Sequence, residues 1–284
     1  VKKEKTMKHI LPTFAPYQSF TERAWFFTLR GLNLLTLLFL MLPILVIIPL
    51  SFADSTFLSY PMPGLSLRWY QTLFESDDWV RAAQNSFIVA PAATLLATVL
   101  GTLAAVGLNK SDFRGKAVVM AVLISPMVVP VVVVGAGVYI FFAQIGLSET
   151  YTGLILAHAA LGAPFVVTTV SATLQGFNQN LVRASLSLGA GPLYTFFRIT
   201  LPVIAPGLIS GALFAFATSF DEVVITLFVA GPSQSTLPRQ MFAGIRENIS
   251  PAIAALATIL IVFSTCLLLA LEWLRGRNKA AAKY

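Results

Sequence analysis

Six apolar stretches recur along this chain, at about 31–52, 84–108, 117–142, 152–174, 204–230 and 252–274. A bilayer span needs about 20 mostly apolar residues to cross a hydrocarbon core of about 30 Å, and in that core each backbone N–H and C=O must be satisfied within the segment. A helix meets this condition and an isolated strand does not. The Val-rich run 128–134 therefore reads as helix despite its β-prone composition. With 57% apolar and 11% charged residues, against about a quarter charged in soluble domains, the expected fold is all-α: a polytopic membrane protein with six transmembrane helices.

Orientation follows from the positions of Lys and Arg. Fifteen of the nineteen lie in the N-terminal tail, in the loops 109–116 and 175–203, and in the C-terminal segment, while Arg68, Arg81, Arg239 and Arg246 lie on the other side. Cytoplasmic segments carry the excess of cations, so both termini and the 175–203 loop are expected in the cytoplasm. The net charge of +7 thus marks segment ends and not a nucleic-acid surface. Residues 1–29, with Lys2, Lys3, Lys5 and Lys8, read as a cytoplasmic tail, too polar for a cleavable signal peptide. Residues 30–275 form the transmembrane domain, and 276–284 a cytoplasmic C-terminal tail. Trp25, Phe26 and Phe27, flanked by Arg23 and Arg30, mark a headgroup-level interface.

The spans are not uniform. Pro126, Pro130, Gly135 and Gly137 predict a bent third helix, because each Pro removes one ladder hydrogen bond. On the outer side, Leu67, Trp69, Tyr70, Leu73 and Phe74 have the spacing of a short helix lying on the membrane surface. The loop 231–250, with Gly231, Pro232 and Pro238, is expected to fold back over the outer mouth. Cys266 is the one cysteine, and His9 and His158 are far apart in sequence, so neither a disulfide framework nor a histidine metal site is expected.

The cytoplasmic stretch 178–203 carries the most specific pattern. Residues 181–188 have helical spacing, Gly189 and Gly191 provide a turn, and Pro192 suits the first position of a second helix over 193–200 that Leu201 and Pro202 are expected to end. Arg183, Ala184, Ser185, Gly189, Ile199, Leu201 and Pro202 stand, without a gap, at the positions of a signature written Glu-Ala-Ala, three residues, Gly, nine residues, Ile, one residue, Leu-Pro. The stretch resembles the cytoplasmic signature of permease subunits in bacterial ATP-binding-cassette importers, with Arg183 in place of the acid and Ser185 in place of the second Ala.

That resemblance implies a non-catalytic permease subunit of the bacterial inner membrane, whose two-helix element fits a groove on an ATPase subunit. This chain has no G-x-x-x-x-G-K-[ST] phosphate loop, so ATP and Mg are expected on a partner ATPase dimer and no cofactor on this chain. A second, non-identical permease, a periplasmic substrate-binding protein and membrane lipid complete the expected partners. No nucleic acid is among them.

In the fifth span, Gly207 and Gly211 form a G-x-x-x-G that allows close helix packing, and Ala215 and Ser219 extend the small-residue face. Ser219, Phe220, Asp221 and Glu222 follow as a candidate substrate pathway. A carboxylate at the bilayer centre costs about 2.5–3.5 kcal/mol on insertion scales, so such groups face a protein interior or an aqueous cavity. Asp221 is the better lining candidate, and pairing with Arg239 or Arg246 to close an outer gate is the competing role. The Ser-Phe-Asp-acidic run, with Leu67-Arg68-Trp69-Tyr70 and Asn85-Ser86, resembles the spermidine/putrescine permease subfamily, which implies uptake of a small organic cation by alternating access. Alternatives are the same machinery importing an opine, amino-acid derivative, iron or phosphate, or a membrane scaffold that transports nothing.

Overall fold

The computed structural model describes residues 19–247 and 250–281. Lys2, Lys3, Lys5, Lys8 and His9 of the expected tail lie outside them, as do 282–284. The described residues are helical apart from their connections, with one isolated antiparallel bridge between Ala53 and Leu65.

The chain folds as two compact units, Tyr70–Ser250 and the flanking segments up to Trp69 and from Pro251. In the flanking unit, α1 (Phe20–Leu50) starts at a capping box: the Glu22 amide donates to Ser19 Oγ at 3.3 Å, and the Glu22 carboxylate accepts from the Ser19 amide at 2.9 Å. These two bonds satisfy backbone donors that a helix start leaves unpaired. No residue of α1 is buried. α2 (Arg68–Glu75) is the short amphipathic helix expected from 67–74. Its entry is pinned by Trp69, whose indole N–H donates to the carbonyls of Ala53 and Ser55, both at 3.1 Å.

The larger unit takes in α2 from Tyr70 onward and continues with α3 (Asp77–Lys110), α4 (Lys116–Val128) and α5 (Val131–Ile145). The expected third span, one bent helix, is in fact two helices meeting at 107°. Pro130 accounts for the break: its ring excludes the helical conformation from the residue before it, and Val129 accordingly lies at φ −72°, ψ 135°. Pro126 is tolerated inside α4. The Val122 carbonyl that it cannot serve accepts from Ser125 Oγ at 2.8 Å.

α6 (Tyr151–Gln175) is the most buried of the long helices and packs against α3. After α7 (Asn180–Ser187), the chain enters α8 (Pro192–Thr195), a π turn (Phe196–Thr200) and α9 (Leu201–Phe220) as one continuous helical run. The stop expected at Leu201 and Pro202 does not occur. The Leu201 amide donates to the Phe196 carbonyl five residues back, and this wide turn places the missing N–H of Pro202 where the ladder shifts register. α9 packs on both α3 and α6. The short α10 (Val224–Val229) follows, then a 3₁₀ turn (Pro232–Gln234) and α11 (Leu237–Glu247).

α12 (Pro251–Ala281) returns to the flanking unit, where it packs on α1. By length and composition, α1, α3, α6 and the run Pro192–Phe220 can each cross a membrane, and α4 with α5 would add a fifth span. α12 contributes a further apolar segment, Pro251–Cys266.

Candidate functional site

The residues of the 183–202 pattern come together as an elbow at one end of α6 and α9. α7 is capped by Leu188, and Gly189 follows with φ 82°, a conformation that an L side chain adopts only with strain. The turn is closed by the Ala190 amide donating to the Ser185 carbonyl at 3.1 Å and by Pro192 opening the next helix. Arg183 and Ala184 are exposed on α7. Ser185 is buried, its hydroxyl 2.9 Å from Thr195 Oγ1 across the elbow. Ile199 and Leu201, with Val182, pack on the core that contains Leu174, Phe177 and Ile204. Leu188, Leu193 and Tyr194, by contrast, are 88%, 75% and 60% exposed, a concentration of apolar surface at the elbow tip.

The small-residue face of α9 lies against α6. A Cβ added to Gly211 would come 2.8 Å from the Val166 Cα, and one added to Gly207 would come 2.7 Å from the Thr169 carbonyl oxygen. Both distances are too short for any side chain, so the helices approach at backbone contact. Ala215 and Ser219 continue this buried face, whereas Phe214, Ala217 and Asp221 lie on the exposed one.

At the end of α9 the helix breaks. Asp221 is its last hydrogen-bonded residue, with its amide donating to Ala217 O at 3.1 Å, and its side chain is exposed. Glu222 turns the other way: its Oε1 accepts from the Ile225 amide at 2.9 Å, at the start of α10. The two adjacent carboxylates thus have different surroundings. Neither is paired with Arg239 or Arg246 among the described residues, and the Arg239 guanidinium donates to the carbonyls of Ala230 and Gly231 at 2.8 and 2.9 Å. Phe220 stacks on Phe216 at 5.4 Å between ring centroids and meets Phe87 edge-on at 5.7 Å.

α10 is held in a notch between α5 and α6, where Ile225 and Val229 join Phe142, Ala157 and Leu161 in one buried cluster. A Cβ at Gly135 would meet the Phe228 ring at 2.8 Å, so this glycine admits the short helix. His158 on α6 is buried between the hydroxyls of Ser219 at 2.9 Å and Thr226 at 3.1 Å.

The segment after α10 is tied to α3. Asn85 Nδ2 donates to the carbonyls of Ser233 and Ser235 at 2.9 and 2.8 Å, while its Oδ1 accepts from the Tyr151 hydroxyl at 2.7 Å. Ser86 Oγ accepts from the Leu237 amide at 2.8 Å. Beyond this latch, a cleft of about 590 Å³ is lined by Asp78, Arg239, Gln240, Phe242 and Arg246 among others. Sequence reasoning weighs His158 only as a metal ligand and passes over Tyr151 and Thr226. Their signal was the one applied to Asp221: a polar group within or beside an apolar run needs a partner.

Comparison with known proteins accords with this architecture. Over 253 residues the chain is 33% identical to the spermidine/putrescine transport system permease protein PotC of Haemophilus influenzae, covering 89% of this chain and 98% of that protein. Over 235 residues it is 35% identical to the putrescine transport system permease protein PotI of Escherichia coli, covering 80% and 83% of the two chains. The crystal structure of a bacterial ABC transporter involved in import of the acidic polysaccharide alginate superposes with a TM-score of 0.73 at 13% identity, over 91% of this chain and 99% of that one, a likeness of fold. Residues 97–279 match the family described as binding-protein-dependent transport system inner membrane component, and the chain belongs to that family.

Proposed function

We propose that this chain is a six-span permease subunit of an ATP-driven importer in the bacterial inner membrane, and that its cargo is a polyamine of the spermidine or putrescine type. The observation that carries the cargo reading is the acidic break between α9 and α10, where Asp221 is exposed and Glu222 is tied back to the Ile225 amide. A carboxylate at such a break can receive an ammonium group, whose charge offsets the cost of placing the acid within an apolar span. Relatives named for spermidine and putrescine transport, similar over most of the chain, support the same chemistry.

The elbow is the proposed coupling element. Its exposed Leu188, Leu193 and Tyr194 need an apolar partner, and a groove on an ATPase subunit would cover them. A helix pair closed by one hydroxyl contact and rooted in the core by Ile199 and Leu201 moves as a unit with α9. Closure of two ATPases around ATP and Mg would then rotate the spans, in alternating access. The unburied face of α1 is assigned to lipid and a second permease, and a periplasmic binding protein delivers the cargo.

The test is purification of the chain with its co-expressed partners, followed by ATPase and uptake assays with labelled spermidine and putrescine. The expected result is a copurifying ATPase stimulated by the cation-loaded binding protein. A stable lone membrane protein without an ATPase partner overturns the importer reading. Stimulation by another solute and not by polyamines overturns the cargo alone.

A further inference from the structure

His158 occupies a position that the coupling and cargo readings do not use. It is 1% exposed, on α6, with both ring nitrogens on hydroxyls from opposite sides of the acidic break: Ser219 in the last turn of α9 and Thr226 in α10. Ser219 and Thr226 are themselves 4% and 0% exposed, so water does not compete for the three groups.

Thr226 Oγ1 also reaches the Glu222 carbonyl, at 3.2 Å, as a donor. A hydrogen-bonded chain thus runs from the Ser219 hydroxyl through the imidazole and the Thr226 hydroxyl to the backbone carbonyl of Glu222. It crosses the break from one side to the other.

We propose that His158 is a positioning residue for the acidic break, clamping α9 to α10 so that Asp221 and Glu222 are held at a fixed angle between them. Asp221 lies two residues after Ser219, and Glu222 supplies the carbonyl at the far end of the chain. The clamp supplies the α9 side of the break with a tie that the α10 side, packed by Ile225 and Val229, does not give it. The inference deepens the cation-pathway reading and, for its effect on uptake, rests on it. Its geometric part stands independently.

The experiment has two readouts, chosen for that separation. In the assembled importer, with Cys266→Ser, nitroxide labels at Ile209→Cys and Leu227→Cys report the distance across the break. Both positions are exposed, at 38% and 42%. The expected result is one narrow distance distribution, broadened by Ser219→Ala or Thr226→Val and most by His158→Leu. The two hydroxyl variants alter one contact each with little change of volume, so they carry the test if His158→Leu fails to assemble. An unchanged distribution in all three variants overturns the proposal.

The second readout is spermidine uptake by the unlabelled importer. Loss of a buried hydrogen-bonded support is expected to raise KM by about fivefold, with kcat less affected, and to add nothing further once Asp221→Asn is present. An equal rise in both backgrounds overturns the positioning role, because a residue that merely supports the fold would act regardless of Asp221. If the distribution broadens but neither His158→Leu nor Asp221→Asn moves KM, the clamp stands and the cation-pathway reading fails.

Discussion

Ser185 and Thr195 share a hydroxyl contact of 2.9 Å buried inside the elbow, joining α7 to α8 across the Gly189 turn. Serine thus stands at a position where the family signature has alanine, and here it has work that alanine could not perform. The contact makes the two short helices one body, which neither is long enough to be alone.

Ser185→Ala leaves the Thr195 hydroxyl buried without this partner, a cost of about 1–3 kcal/mol. The expected outcome is a lower melting temperature of the assembled complex and weaker coupling of ATPase activity to uptake. Ser185→Ala combined with Thr195→Val removes both polar groups and should recover most of the melting temperature. A double variant as unstable as the sum of the single ones would show that the contact is not the cause.

Gly189 is a backbone requirement and not a packing one. At φ 82°, a Cβ added there meets nothing within 4 Å, so the cost of replacement is conformational strain of about 1–2 kcal/mol. Gly189→Val should insert in the membrane at normal levels yet lose ATPase-coupled uptake, while Gly189→Asn, which tolerates the left-handed region, should retain much more. Equal uptake by the two variants would argue against strain at this turn.

Much of this fold was legible because hydropathy and turn chemistry act locally. The apolar stretches, the short helix after 67, the helix 181–188 and the left-handed Gly189 could all be read from neighbouring residues. The continuous helix through Pro202 could not, because it runs through a π turn whose Ile199, with Leu201 beside it, packs on Leu174 and Phe177, far back in the chain. Pro130 predicts a bend, but not a break of 107°, nor that α10, far on in the chain, seats the Phe228 ring against Gly135. The other histidine, His9, is too far from His158 in sequence to suggest a shared site. The partners of His158, Ser219 and Thr226, are 61 and 68 residues away in sequence, and only the fold brings them to one ring.

Asn85 should hold the segment after α10 in place. Its side chain is 1% exposed and bonds to Ser233, Ser235 and Tyr151. Asn85→Asp keeps the shape but removes both donors and sets a carboxylate against two carbonyl oxygens. Hydrogen exchange at the amides of 233–237 should quicken by at least about tenfold, the equivalent of 1.4 kcal/mol in local opening, with exchange in α6 unchanged. Unaltered protection of 233–237 would mean that Ser86 and the packing of α11 suffice.

The adjacent acids offer the sharpest division of labour. Asp221 is exposed and on the stripe of α9 that runs through Phe214 and Ala217, while Glu222 is half-buried and accepts from the Ile225 amide at 2.9 Å. Asp221→Asn keeps volume and removes charge where an arriving ammonium would sit. It should raise the KM for spermidine uptake by about tenfold, the loss of roughly 1.4 kcal/mol expected for one charge-assisted contact, without lowering the melting temperature. Glu222→Gln retains an oxygen for Ile225 but weakens the bond, since charged acceptors bind about twice as strongly as neutral ones. Its main effect should be a loss of about 1 kcal/mol of stability with a smaller change in KM. Uptake kinetics and thermal melts of the two variants, measured on the same assembled complex, decide the matter. If Glu222→Gln raises KM and Asp221→Asn lowers stability, the roles are reversed; if neither changes uptake, the acids are not on the path.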